Sequence, residues 1–227
     1  MTLGALGDIH GDFEAARRIM RRHPEVPFWI CVGDVADDHG RYEDLDAPLY
    51  WIKGNNENFD RIASGNLPSN LHYLPAATPL ELSGVTIVGL GGTLAPTWYD
   101  TAAAELPHPA KGSAQATEQA DKRRHLVREE VERCKALRGI DILLTHEAPR
   151  PYIVGAAGRR GIEAGKAPVN EVLASLKPRL HLFGHHHRFT EQDREGVRSV
   201  GLDLASRSYL LIDAGSLEYA RCGDTFK

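Results

Sequence analysis

Short apolar runs separated by polar, glycine-marked turns dominate the first half of the chain. Residues 3–6 read as a buried strand, and Asp12 suits the cap of a helix whose apolar positions Phe13, Ala16, Ile19 and Met20 recur at helical spacing. Strands are also expected over 28–32, 49–52, 80–82 and 85–90, with Ser83-Gly84 as the turn of a hairpin. Prolines 96, 107 and 109 and polar surroundings make 93–112 an irregular excursion, expected to lie over a site as a lid. The stretch 115–138 carries Ala116, Ala120, Val127, Val131 and Cys134 on one helical face and predicts a long exposed helix. Strands over 141–144 and 179–183 follow, with a helix around 169–176 between them. Beyond Arg188, short runs at 198–202 and 209–212 predict antiparallel strands that finish the sheet.

Strands alternating with helices imply a layered α/β fold, in which ligand sites form at the carboxyl ends of strands. Neither an internal repeat nor a linker interrupts the pattern, so 1–227 reads as one domain. Composition changes this picture little. The chain is 42% hydrophobic and 26% charged with a formal charge of −4, which excludes a broad polybasic nucleic-acid face. No apolar run approaches the roughly 20 residues that span a bilayer, and a strand begins at once, so no membrane partner and a cytoplasmic location are expected. Cys31, Cys134 and Cys222 lack C-x-x-C spacing and read as free thiols that fill the core.

The eleven histidines change it more, because several close the apolar runs. Collected from the strand ends, Asp8, His10, Asp34, Asn55, His146, His185 and His187 form a set of carboxylate, amide and imidazole donors without a thiolate. Such a set favours Mn²⁺, Fe, Zn²⁺ or Mg²⁺ in a catalytic role over a structural zinc. Taken singly, Asp8 and Asp34 read equally well as turn or capping residues, and His146 and His185 as histidines satisfied by the backbone. His23, His72, His108, His125 and His181 have no partner spacing and read as structural or surface residues.

In order, Gly7-Asp8-Ile9-His10-Gly11, Gly33-Asp34, Gly54-Asn55-Asn56-Glu57, Thr145-His146-Glu147 and Gly184-His185-His186-His187 resemble the five blocks of the calcineurin-like metallophosphoesterases. One such motif is weak; five in order, each closing an expected strand, are specific. The resemblance implies an α/β four-layer sandwich of two mixed sheets flanked by helices. It also implies two divalent ions, Mn²⁺ first, with Fe, Zn²⁺, Ni²⁺ or Mg²⁺ as alternatives. Asp8, His10 and His187 would hold one ion, Asn55, His146 and His185 the other, with Asp34 between them and hydroxide as nucleophile. His186 would then point elsewhere.

The third block departs from the pattern. Most members carry His where this chain has Asn56, and that His is thought to contact the substrate phosphate and protonate the leaving oxygen. An amide can donate a hydrogen bond but cannot deliver a proton, so help worth roughly a hundred-fold is at stake. Asn56 also reads as a pure turn residue. His186, His39 and Glu57 are the alternative acids. Arg188 is a candidate for the substrate phosphate, and 155–161, with Arg150, Arg159 and Arg160, reads as a basic lid.

The leading expectation is a phosphodiesterase acting on a nucleotide or nucleic-acid diester. A phosphomonoesterase, including a phosphoprotein phosphatase, is the near alternative, since Gly-Asp-Ile-His-Gly also opens that branch. A metal-bound scaffold for a protein partner and a non-catalytic nucleic-acid module are the alternatives from other classes.

Overall fold

The computed structural model describes residues 1–109, 120–155 and 161–223. Its elements run β1 (Thr2–Leu6), α1 (Phe13–Arg22), β2 (Trp29–Cys31), β3 (Leu49–Trp51), α2 (Phe59–Ser64), β4 (Leu71–Tyr73), β5 (Leu80–Leu82) and β6 (Val85–Leu90). The second half holds α3 (Arg128–Ala136), β7 (Ile142–Thr145), β8 (Ile153–Val154), β9 (Ile162–Glu163), α4 (Ala167–Leu176) and β10 (Leu180–Phe183). It closes with β11 (Thr190–Arg194), β12 (Val197–Gly201), β13 (Ser208–Asp213) and β14 (Tyr219–Gly223).

Two six-stranded mixed sheets face each other, ordered β14-β13-β1-β2-β3-β4 and β11-β12-β10-β7-β6-β5. Alternation along each strand sorts its side chains between two cores. Leu3, Ala5, Ile30, Val32 and Ile52 of the first sheet meet Ile87, Ile142, Leu144, Leu180 and Leu182 of the second in the central layer. Leu6, Trp29, Cys31, Leu49 and Trp51 turn the other way, onto Phe13, Ala16, Ile19 and Met20 of α1. On the far side, Val88, Leu90 and Leu143 pack against Val131 and Cys134 of α3 and Val169, Val172 and Leu173 of α4. The result is the four-layer α/β sandwich.

Local chemistry explains the elements that hold the site. The Asp12 side chain accepts from Ala15 N–H at 3.1 Å, and Glu14 and Arg21–Arg22 sit at the ends of α1 that the helix dipole favours. Ser83 and Gly84 both take positive φ, 54° and 76°, the signature of a tight two-residue hairpin turn between β5 and β6.

Three expectations need correction. The long helix over 115–138 is much shorter: residues 122–124 form a single 3-10 turn, Thr93 bridges His125, and the α-helix begins at Arg128. Residues 110–119 lie outside the described part. Glu130, three residues beyond Val127, reaches back to the Val127 N–H at 3.2 Å and so starts α3 there. The run at 198–202 is antiparallel on one side only, since β12 pairs antiparallel with β11 but parallel with β10, whereas β13 is antiparallel to both its neighbours as expected. The excursion from 93 does not bond to the ligand candidates over 95–109. It turns through Pro96–Trp98 and Ala103–Glu105 and packs on α2 and α3, where Leu106 is buried and Asp100 pairs with Arg128. Its residues 110–112 are not among those described, nor are 156–160 of the expected basic lid, including Arg159 and Arg160.

Candidate metal centre

The five polar turns meet at one end of the two sheets. Asp8 follows β1, Asp34 follows β2, Asn55 follows β3, His146 follows β7, and His185–His187 follow β10. The strands bearing them run parallel within each sheet, so their carboxyl ends open on the same side.

Two sets of potential ligand atoms lie close together: Asp8, His10 and His187, and Asp8, Asp34 and His146, each with its atoms within 4.8 Å of one another. His187 Nε2 is 3.0 Å from Asp8 Oδ2 and 3.1 Å from His10 Nε2. Asp8 is common to both sets, and a single oxygen of the second, Asp34 Oδ2, lies 3.6 Å from His10 Nε2 of the first and 3.6 Å from His146 Nε2 of its own. Asn55 Oδ1 is 3.1 Å from His146 Nε2. His185 joins neither set by a ring nitrogen. Its backbone N–H donates to Asp8 at 3.1 Å, and its ring lies 4.9 Å from that of His146.

Burial grades across the site. The side chains of Asp8 and Asp34 are 1% and 2% exposed, whereas those of His10 and His187 are 30% and 38% exposed, so the carboxylates form a floor and the two imidazoles an open rim. Burial works against the Asp34 carboxylate, but His146, the Asn56 N–H at 2.7 Å, His10 and His185 together hold its pKa below the usual range. Burial likewise opposes a charged His146, yet Asp34 and Asp8 raise its pKa on balance. The hydrogen bond to Asp8 raises His187. Burial, with His146 nearby, pushes His185 down to about 3, so that imidazole is neutral. His146 Nδ1 donates to the Val32 carbonyl at 2.8 Å, which turns its Nε2 toward Asp34 and Asn55.

The backbone is shaped around this cluster. His10, Asp34, His185 and His187 adopt positive φ of 47°, 52°, 67° and 47°, a strain of about 1–3 kcal/mol each that persists only where surrounding structure imposes it. Glycines make the room. A Cβ at Gly54 would stand 2.0 Å from Asp34 Oδ1, one at Gly184 2.3 Å from Asp8 Oδ1, and one at Gly33 2.7 Å from His146 Nδ1. Two buried carboxylates, convergent imidazole nitrogens and glycine-cleared space fit hard or borderline divalent cations. Cys31, which donates its thiol hydrogen to the Gly7 and Gly33 carbonyls behind the site, contributes no ligand.

The remaining candidates are placed as follows. Asn56 turns its amide to the Ala36 carbonyl at 3.2 Å and lies 3.4 Å from His10 Nδ1. Arg188 is exposed and makes no hydrogen bond or ion pair among the described residues. His186 turns away from the ligand cluster and stacks on Tyr152 at 4.5 Å between ring centres. Glu57 is buried behind Asp34, accepts from Val35 N–H and Tyr42 O–H, and is pushed up to about 7 by burial and by Asp34. His39 is exposed, and Arg150 lies 4.0 Å from Glu163, away from the cluster. His23, His72, His125 and His181 all have structural partners: Tyr209, Tyr50, Thr93, and Thr145 with Ser199. Sequence reasoning missed the Val32 carbonyl, which fixes the His146 tautomer, and Tyr152; a backbone acceptor and a lone aromatic carry no motif.

Facing mixed sheets with this cluster at their carboxyl ends define a metal-dependent phosphoesterase fold. The chain belongs to the calcineurin-like phosphoesterase family, whose model matches residues 1–189. Its fold is similar to that of TT1561 of Thermus thermophilus (TM-score 0.64, 15% identity, 98% of each chain covered). It is also similar to an archaeal phosphodiesterase (TM-score 0.50, 11% identity, 98% of this chain and 99% of that one). A third likeness is to GAP50, the anchor in the inner membrane complex of Plasmodium (TM-score 0.51, 10% identity, 100% and 90% covered). No curated protein matches the chain. Among the described residues, no helix is long and apolar enough to cross a membrane.

Proposed function

We propose that the chain is a dinuclear metal-dependent phosphodiesterase acting on a nucleotide or nucleic-acid-type diester. The observation that carries this reading is Asp34 Oδ2, equidistant at 3.6 Å from an imidazole nitrogen of each ligand set. In the proposed assignment Asp8, His10 and His187 hold one ion, Asn55, His146 and His185 the other, and Asp34 both; Mn²⁺ is the preferred metal. Two bound ions would supply Lewis acidity at the phosphoryl oxygens and a nucleophile at neutral pH.

The protein's own part is positional. Val32 orients His146, the Asn56 N–H orients Asp34, and the His185 N–H orients Asp8. The half-exposed rim of His10 and His187 leaves the substrate its entry, and the exposed Arg188, which follows His187 and has no ion pair among the described residues, is a cation for a phosphate oxygen. Asn56 can offer substrate an N–H by turning from the Ala36 carbonyl, but no proton, which favours leaving groups that depart as anions. The three free thiols accord with the reducing cytoplasm.

The test is hydrolysis of a nitrophenyl phosphodiester beside the matching monoester, with Mn²⁺ supplied or chelated. Diester cleavage that needs Mn²⁺ and is lost in Asp34→Ala is expected, with monoesterase activity gained in Asn56→His. Faster monoester cleavage by the wild type would replace this reading with a phosphomonoesterase, and metal binding without cleavage of either ester would replace it with a scaffold.

A further inference from the structure

Beside the last ligand turn lies a cavity of about 300 Å³, lined chiefly by Tyr152, Ile153, Arg188, Thr190, Gln192 and Arg194. Two ring contacts join its wall to the metal site: Tyr152 stacks on His186 at 4.5 Å, and His186 lies 5.0 Å from His185. Arg188 follows His187 directly.

The polar groups around this cavity are unbalanced. Gln192 Oε1 is taken by Arg194 Nη2 at 2.6 Å, which also donates to the Pro151 carbonyl at 2.8 Å, while Arg194 Nη1 donates to Asp193 O. Among the described residues the N–H donors Gln192 Nε2 and Arg194 Nε are left buried without a partner, and His186 Nε2 is likewise unpartnered behind Tyr152. The Tyr152 and Thr190 hydroxyls sit beside each other outside hydrogen-bonding geometry. The Arg188 guanidinium has no acceptor among the described residues. The nearby carboxylate, Glu163, is occupied by the N–H groups of Tyr152 and Gly165. Amide and guanidinium N–H groups, with the Gln192 carbonyl oxygen already engaged, suit an oxyanion, and arginine forks match phosphate geometry.

Resting on the phosphodiesterase reading, we infer that this cavity receives a second phosphate of the substrate, and that the bond broken is a P–O–P linkage between two esterified phosphates. Water adds its oxygen to the phosphorus at the metal site and releases a proton to solvent. The bridging P–O bond breaks, and its electron pair leaves on the second phosphate as an oxyanion held by Arg188, with the Gln192 amide and the Arg194 Nε–H turning toward it. Such a leaving group departs without protonation, which matches Asn56 in the place of a proton donor. The two observations, a cavity with unengaged N–H donors and a missing acid, thus point to one substrate chemistry.

The experiment uses the full Mn²⁺-loaded chain and two probes, methylphosphonate and methylene-bridged bisphosphonate, titrated by calorimetry. Kinetics are followed in parallel on a diesterified diphosphate and a nitrophenyl phosphodiester. The wild type should bind the bisphosphonate at least about tenfold tighter than the monophosphonate, and this increment should fall below about threefold in Arg188→Ala and in Gln192→Met. Arg188 is exposed and makes no hydrogen bond or ion pair among the described residues, so its variant tests the site without endangering the fold, and Arg138→Ala serves as a charge-matched control that keeps the increment. Retention of the increment in Arg188→Ala would mean that the metals take both phosphonates, and the inference fails. Cleavage of the nitrophenyl diester without any preference for the diphosphate overturns the inference alone, whereas failure to bind either phosphonate and to cleave either ester overturns the phosphodiesterase reading.

Discussion

The buried pair of Lys53 and Glu130 offers a test of how the third ligand turn is held. Lys53 Nζ donates to Glu130 Oε1 at 3.0 Å, to Oε2 at 3.3 Å and to the His125 carbonyl at 2.9 Å, with both side chains 8% exposed. At an effective dielectric near 20, charges about 3 Å apart attract by roughly 5 kcal/mol. Desolvating each ion costs several kcal/mol, so the intact pair is close to neutral in net stability. Removing one partner is different, because the other is left buried and uncompensated. Lys53→Met should therefore cost about 3–5 kcal/mol, while Lys53→Met with Glu130→Gln, which retains an oxygen for the Val127 N–H, should recover about half of that. Urea unfolding in chelator, which removes stabilisation by bound metal, gives both numbers. The Lys53 carbonyl accepts from Gly92 N–H and Asn55 lies two residues on, so Mn²⁺ affinity should fall with stability in the single variant. A cost below about 1 kcal/mol, as for an exposed ion pair, or strict additivity of the two single variants would refute the reasoning.

Other perturbations probe the site and the core behind it. In Gly54→Ala the new Cβ would meet Asp34 Oδ1 at 2.0 Å and the Asp34 backbone N at 2.5 Å, so calorimetry should show Mn²⁺ affinity lowered at least about tenfold. Gly65→Ala, in a left-handed cap with open space, should cost about 1–2 kcal/mol and leave metal affinity alone. His181, buried between Thr145 and Ser199, is pushed down to about 3 by burial. Its folded pKa lies below the unfolded value of 6.5, so its contribution is complete above pH 6.5 and is lost at about 1.4 kcal/mol per unit as pH falls toward 3. Imidazole resonances of the metal-free protein should show His181 unprotonated at pH 5; titration near 6.5 would contradict its burial.

Much of the architecture was legible along the chain because the central strands are covered on both faces or alternate between two cores. Residues 80–82 and 85–90 match β5 and β6, and the helix through Phe13, Ala16, Ile19 and Met20 matches α1. Burial is a local property that a residue type reports. Short elements with mixed character were not legible: β4 is half-buried, α2 has six residues, and β11 reads TEQDR without an apolar position. These exist because a neighbouring strand or helix supplies the partner. The charge-rich stretch before Arg128 fitted a helical pattern equally well, and the bridge from Thr93 to His125 decided otherwise.

The sequence by itself determined which donor types would be present and that each closes a strand, because glycine and aspartate mark turns and apolar runs mark the strands that end there. Only the tertiary structure decided which of them meet. His10 and His187 stand 177 positions apart and Asp8 and His185 likewise, and no local pattern encodes a contact made by two sheets closing on each other. The positive φ of His10, Asp34, His185 and His187, the cavity beside Arg188 and the buried partner of Lys53 belong to the same category. Each depends on the positions of atoms far away in the chain, which the residue types permit but do not specify.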